Sequence, residues 1–202
     1  KLREQVLSEL SLPEQRELHS QLARAIEASD PDTSTQAALL AHHYEQAGVL
    51  AAAGRYAAVA GEQAMQRGAL AEAQVLLLRA VALLPHRQTS RLDRVRLHRL
   101  LLHTHFGLGQ LTERGHDIAA MLAAIDQPMP GSSTALALAL ADSLLRQARH
   151  RLGLLPGPTG PAAAEHSVIG AELCLIYSMV SEYYFWKNHA LMGLFYAHEA
   201  AN

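Results

Sequence analysis

Adjacent histidines, His42 and His43, sit in the run LLAHHYEQAG beside Tyr44 and Glu45, and these are the residue types of a metal or proton-transfer site. Neutral imidazoles ligate zinc-like ions, and they exchange protons near neutral pH. On a helix, however, adjacent residues point about 100° apart, and two ligands on one helix normally stand three or four residues apart. None of the twelve histidines (19, 42, 43, 86, 98, 103, 105, 116, 150, 166, 189 and 198) has another at that spacing. His98, His103 and His105 come nearest and spread around one helix. The expectation is two surface or interface histidines at 42 and 43, with no metal ligand, no cofactor and no catalytic residue in the chain. Cys174 is the single cysteine; sequence places no base beside it, and it reads as a small apolar side chain rather than a nucleophile. No Gly-rich loop with its lysine occurs to cradle nucleotide phosphates, so any ATPase would lie outside residues 1–202.

The 202 residues are half apolar, enough to build a core, and 17 basic against 19 acidic residues leave a net charge of -2. Such a balance creates no global field for nucleic acid or an anionic membrane. A lone cysteine excludes an internal disulfide framework and fits a reducing compartment. Charge or glycine interrupts the apolar stretches before they reach a membrane span, and the opening KLREQVLSEL lacks the apolar core of a signal peptide. The chain reads as soluble and cytoplasmic, with no membrane and no direct nucleic-acid partner. It opens without Met inside a helical pattern and stops at Asn202 after another, as a piece of a longer protein would.

Ala and Leu dominate, β-branched residues are sparse, and apolar residues recur at three and four, so the fold class is all-α. Ser11 and Glu14 have capping-box spacing around Pro13, and Leu18, Leu22, Ala25 and Ile26 form one stripe of the helix that follows. Thr33 and Gln36 repeat the capping spacing ahead of Ala37, Leu40, Ala41, Tyr44 and Ala47, a helix closed by Gly48; Tyr44 is a core residue. The loops DQPMPGSST and GLLPGPTGPAAAEH are too rich in Pro and Gly for helix, whereas ALALALADSLLRQARHRL is helical despite its early alternation. In residues 54–87 small residues recur where two helices would touch: Gly61 and Ala64 before the turn at Gly68, Ala73 and Ala80 after it, with Leu77 between them.

Gly61, Gly68, Leu70, Ala73, Leu77, Ala80 and Pro85 resemble the signature of a tetratricopeptide repeat, in register over 34 residues. Ala57 stands where that family carries a large aromatic, and Ala64 where Tyr is common. A divergent hairpin over 91–126 echoes the turn as Gly109-Gln110-Leu111 but has Arg114 for the expected alanine. Ala190, Leu194 and Ala197 repeat the second-helix spacing within a last repeat, 171–202. The resemblance implies a tetratricopeptide-like α-solenoid of antiparallel helix pairs, with 1–48 leading into the repeats and 49–202 forming them. LPEQRELHSQLARAIEA, LLAHHYEQAG and the clear repeat together resemble the helical-repeat region of bacterial STAND-type signalling ATPases, which include LuxR-type transcription activators and multidomain adenylate or guanylate cyclases. That likeness implies a non-catalytic module binding a protein, a peptide or a small inducer, and relaying the signal to ATPase and output domains of the same chain. The alternative is a free-standing tetratricopeptide adaptor.

Repeats of this family bind partners on the concave wall of their first helices. The matching positions are Arg55, Glu62, Met65 and Gln66 in the clear repeat, and Glu172, Met179, Glu182 and Tyr183 in the last. Arg87, Arg91, Arg94, Arg96 and Arg99 form a basic cluster whose default is a solvated helix face. Seven of the ten aromatics, Tyr177, Tyr183 to Trp186, Phe195 and Tyr196, gather late, where they fill the last hairpin or anchor a partner.

Overall fold

The computed structural model describes residues 10–29, 33–84, 89–110, 115–152 and 161–200, and every regular element among them is helical. The chain divides into two compact units, Lys1–Thr89 and Ser90–Asn202. Among the described residues no helix is long and apolar enough to cross a membrane.

In the N-terminal unit α1 spans Leu12–Ser29, a 3-10 turn covers Thr33–Gln36, and α2 (Ala37–Gln46), α3 (Leu50–Gln66) and α4 (Leu70–Leu83) follow. The start of α1 is fixed by Glu14, whose carboxylate accepts both the Ser11 N–H, at 2.8 Å, and the Ser11 hydroxyl, at 2.7 Å. Its expected stripe is displaced. Leu18 and Leu22 are 39% and 41% exposed, while Ser20 and Ala23 are buried. The small Ala23 lets α1 close on Leu40, Tyr44, Ala52 and Ala53, so the buried face is turned by one residue, about 100°, from the leucines. Thr33 and Gln36 belong to the 3-10 turn, and Gln36 precedes α2 without a side-chain cap. Ala37, Leu40, Ala41 and Tyr44 are buried, as their spacing predicts.

Between α3 and α4 the contact is made by small residues. A Cβ on Gly61 would stand 2.7 Å from Leu77 Cγ, and one on Gly54 2.7 Å from Leu84 Cγ, so α4 returns along α3 with leucines seated on glycines. Ala57, Ala64, Ala73, Leu77 and Ala80 are fully buried there. Pro85 lies outside the described residues.

The C-terminal unit comprises α5 (Arg91–Gly107), α6 (Gly115–Ala124), α7 (Ser133–Arg151), α8 (Pro161–Trp186) and α9 (Ala190–Ala200). Ser90 caps α5, its Oγ accepting the Asp93 N–H. Helix α8 opens at Pro161, inside a stretch whose composition reads as loop; at the first helical position the missing N–H removes no helical hydrogen bond. The core joins Val95 and Leu102 of α5, Ile118, Met121 and Leu122 of α6 and neighbouring Ile125 to Ile176, Tyr177, Val180, Tyr183 and Tyr184 of α8 and Tyr196 of α9.

One turn recurs. After α2, α3 and α8 a residue with positive φ (Gly48 at 79°, Gly68 at 77°, Asn188 at 56°) ends the helix. In each case the next N–H reaches back five residues, Val49 to Tyr44, Ala69 to Ala64 and His189 to Tyr184. This is the Schellman closure, which satisfies carbonyls the helix end would leave bare. The fifth residue beyond the turn is small and buried each time: Ala53, Ala73 and Gly193. Asp126, at φ 63°, follows α6 likewise, with the Gln127 N–H reaching back to Leu122, and Gly109, at φ 67°, follows α5, whereas Leu111 and Arg114 lie outside the described residues.

Burial in α9 follows that register and differs from the spacing expected there. Ala190, Leu194 and Ala197 are exposed, and Gly193 and Tyr196 are the buried residues of α9. Counted from Asn188, Gly193 takes the place of Ala73 and Ala200 that of Ala80. The asparagine supplies the left-handed turn that the glycine-based pattern could not locate, so the predicted spacing sits three residues early.

Candidate functional site

Residues expected on a partner-binding wall fall into two groups. On α3, Arg55 and Gln66 are exposed and Glu62 and Met65 half-buried, so that set presents polar groups to solvent. Of the four on α8 only Glu182 is exposed. Tyr183 is buried in the core, Met179 packs against it, and Glu172 is held by the guanidinium of Arg99 with Arg96 Nε at 3.8 Å. These three side chains are engaged within their own unit because α8 turns that face toward α5 and the core. The basic cluster is engaged there too: Arg94 Nη2 donates to Asp126 Oδ2 at 2.9 Å. Arg87 lies outside the described residues.

Solvent instead meets the turn between α8 and α9. Phe185 and Trp186 are 73% and 76% exposed, with rings 5.8 Å apart, edge to face, and Leu191 and Leu194 follow at 63% and 58%. Large apolar side chains clustered on a turn suit a partner better than water.

Polar chemistry gathers at two further places. In the C-terminal unit the Ser143 hydroxyl donates to the Glu199 carboxylate and lies 3.1 Å from His198 Nδ1, while His198 Nε2 is 3.1 Å from Gln147 Oε1. The serine is buried. Cys174 Sγ donates to the Ala200 carbonyl at 3.0 Å and is half-buried.

The second place is the opening histidine pair. His43 is buried three residues along α2 from buried Leu40, and it meets His19 of α1. His19 stands one helical turn before Ala23 on the buried face of α1, which brings its ring to α2. Their Nδ1 atoms are 2.8 Å apart. His42 is exposed, yet its ring lies 6.0 Å from that of His19 and 5.4 Å from that of His43. One nitrogen from each of the three comes within 4.8 Å of the others. Spacing along one helix could not reveal this set, because its third member arrives from another helix. The signal that would have found it is the true buried face of α1, one residue away from the leucine stripe.

Beside it, Glu27 accepts the Tyr56 hydroxyl at 2.6 Å, and hydrogen bonds from Tyr44 and Tyr56 hold its carboxyl below the usual range. Burial pushes the Tyr44 phenol up to about 12. Tyr44 and Tyr56 stack with ring centroids 5.7 Å apart, which fits the core role expected of Tyr44.

No family model, curated protein or solved structure matches the chain.

Proposed function

We propose that the chain is a non-catalytic helical-repeat module, its helix pairs antiparallel and stacked as a tetratricopeptide-like solenoid, that binds a protein or peptide partner or a small inducer. In this reading it relays occupancy to ATPase and output domains of a larger bacterial regulator of the STAND type. The supporting observation is the α3–α4 pair: leucines seated on Gly54 and Gly61, alanines at the contact and a left-handed glycine between the helices. Such a unit buries one face against its own partner helix and leaves another for neighbours or ligands. Arg55, Glu62, Met65 and Gln66 of α3 are the partner-facing residues of the N-terminal unit in this reading; in the C-terminal unit Phe185 and Trp186 form a separate exposed surface, whose exposure costs solvation unless a partner covers them.

The test is the mass of the native polypeptide in its source cells, by immunoblot against this segment, with retention on immobilised ATP scored on the same band. A band several times heavier than 21.9 kDa that is retained supports the regulator. A band near 21.9 kDa that is not retained replaces it with the free-standing adaptor.

A further inference from the structure

The histidine cluster has no part in partner binding by α3, and its composition answers a different need. His19 and His43 present nitrogens 2.8 Å apart, and two imidazoles bound to one tetrahedral ion at about 2.0–2.1 Å hold their nitrogens about 3.3 Å apart. Opening that pair by about half an ångström, with the two rings turned so that their lone pairs converge near the tetrahedral angle, makes room for an ion beside both nitrogens. His42 supplies a third nitrogen from the solvent side, where its exposed side chain has rotamer freedom to swing inward. The nearby Glu45 is not a competing donor, since its carboxylate is held by Arg79, with Nε 2.9 Å from Oε2.

We propose that His19, His42 and His43 bind one transition-metal dication of the zinc class and so clamp α1 to α2. An all-imidazole set favours Zn2+, Cu2+, Ni2+ or Co2+ over Mg2+ and Ca2+, which require oxygen ligands. Three protein ligands leave a fourth position on the side of exposed His42, open to water or to an anionic group of a ligand. Two of the three ligands are already positioned by packing, His19 beside Ala23 and His43 beside Leu40, so binding orders chiefly the His42 side chain. The competing account of the 2.8 Å contact is a single N–H···N hydrogen bond between neutral rings, which needs no ion.

Cobalt and zinc titrations of the full chain separate the two. With Co2+ the proposal expects one equivalent bound and the visible absorption of a tetrahedral nitrogen-ligated ion, bleached by one equivalent of Zn2+. Saturating Zn2+ should raise the melting temperature by ~5 °C or more, because an ion bound only by the folded chain stabilises it. His42→Ala, at an exposed position, and His19→Gln, which keeps a hydrogen-bonding group, should each weaken uptake at least ~10-fold and abolish the thermal shift. His42→Ala guards against a folding defect as the explanation, and circular dichroism of both variants confirms their helix content. Uptake no stronger than that of the variant lacking all three histidines overturns the proposal in favour of the hydrogen bond. Uptake lost in His42→Ala but undiminished in His19→Gln also overturns it, because the ion would then not bridge the helices.

Discussion

In the N-terminal unit the tightest helix contact is made by glycine and alanine, with Leu77 and Leu84 lying directly on Gly61 and Gly54. The C-terminal unit is filled instead by Ile118, Leu122, Ile125, Ile176 and four buried tyrosines. Both are all-helical and both use the same left-handed turn, but they hold helices together by opposite means. Close backbone approach leaves no space to add an atom, whereas a core of large side chains leaves a void when atoms are removed. The two regions should therefore fail under opposite substitutions.

The largest effect belongs to the C-terminal core. Ile176 is fully buried, and Ile176→Ala should cost ~2–5 kcal/mol in urea unfolding through lost burial and a residual cavity. A loss below ~1 kcal/mol would mean that this core collapses freely around the void and is not packed as described. Next comes Gly61→Ala, expected to cost ~1–3 kcal/mol, because its Cβ would meet Leu77 Cγ at 2.7 Å and the Leu77 backbone nitrogen at 3.3 Å. Leu77→Ala vacates that space, so the double variant should lose less than the sum of the two single losses. Strict additivity would show that the two residues do not touch.

Much of this was legible in the sequence, and the exceptions have physical causes. The buried side of residues 70–83 is legible because Ala73, Leu77 and Ala80 follow a glycine that marks the turn, and all three are buried. The same pattern was set three residues early in α9, since Asn188 carries the left-handed conformation there and asparagine is a weaker signal than glycine. In α1 the leucines suggested the buried face, yet the alanine side allows the closer approach and wins. That one-residue turn carries His19 to His43, so the error in the stripe and the missed cluster are the same error. The resemblance to a tetratricopeptide repeat puts Glu172 and Tyr183 on an open wall. Their engagement with Arg99 and with the core depends on helices far away in sequence.

Gly68 has φ 77° and open space around its Cα, so Gly68→Ala should cost ~1 kcal/mol from backbone strain alone, while Asn188→Gly at the equivalent turn should be neutral or slightly stabilising. Alkaline titration probes the tyrosine-filled core. Burial pushes the Tyr177 phenol up to about 12 from its ordinary value near 10, and Tyr196 is raised by burial as well. Below pH ~10 the phenols are neutral in both states and this part of the stability is complete. As pH rises from 10 toward 12 the unfolded chain releases protons that the folded chain retains, and stability falls. Tyr177→Phe should make that fall shallower, at a cost of ~1 kcal/mol at neutral pH for the hydrogen bond to Gln127 Oε1. An unchanged slope would remove Tyr177 from the titrating set.

The comparison reduces to one chemical change made in two places. Gly61 and Gly170 both lie inside helices, but a Cβ on Gly170 of α8 meets nothing within 4 Å. Urea unfolding of Gly61→Ala and Gly170→Ala, side by side with the parent chain, shows which helix surface is closed to an added atom. Opposite signs are expected: a loss of ~1–3 kcal/mol at Gly61 from crowding, and a gain of ~0.5–1 kcal/mol at Gly170 from helix propensity. Stabilisation by both variants would contradict this, because α3 and α4 would then have room between them that close glycine–leucine contact forbids.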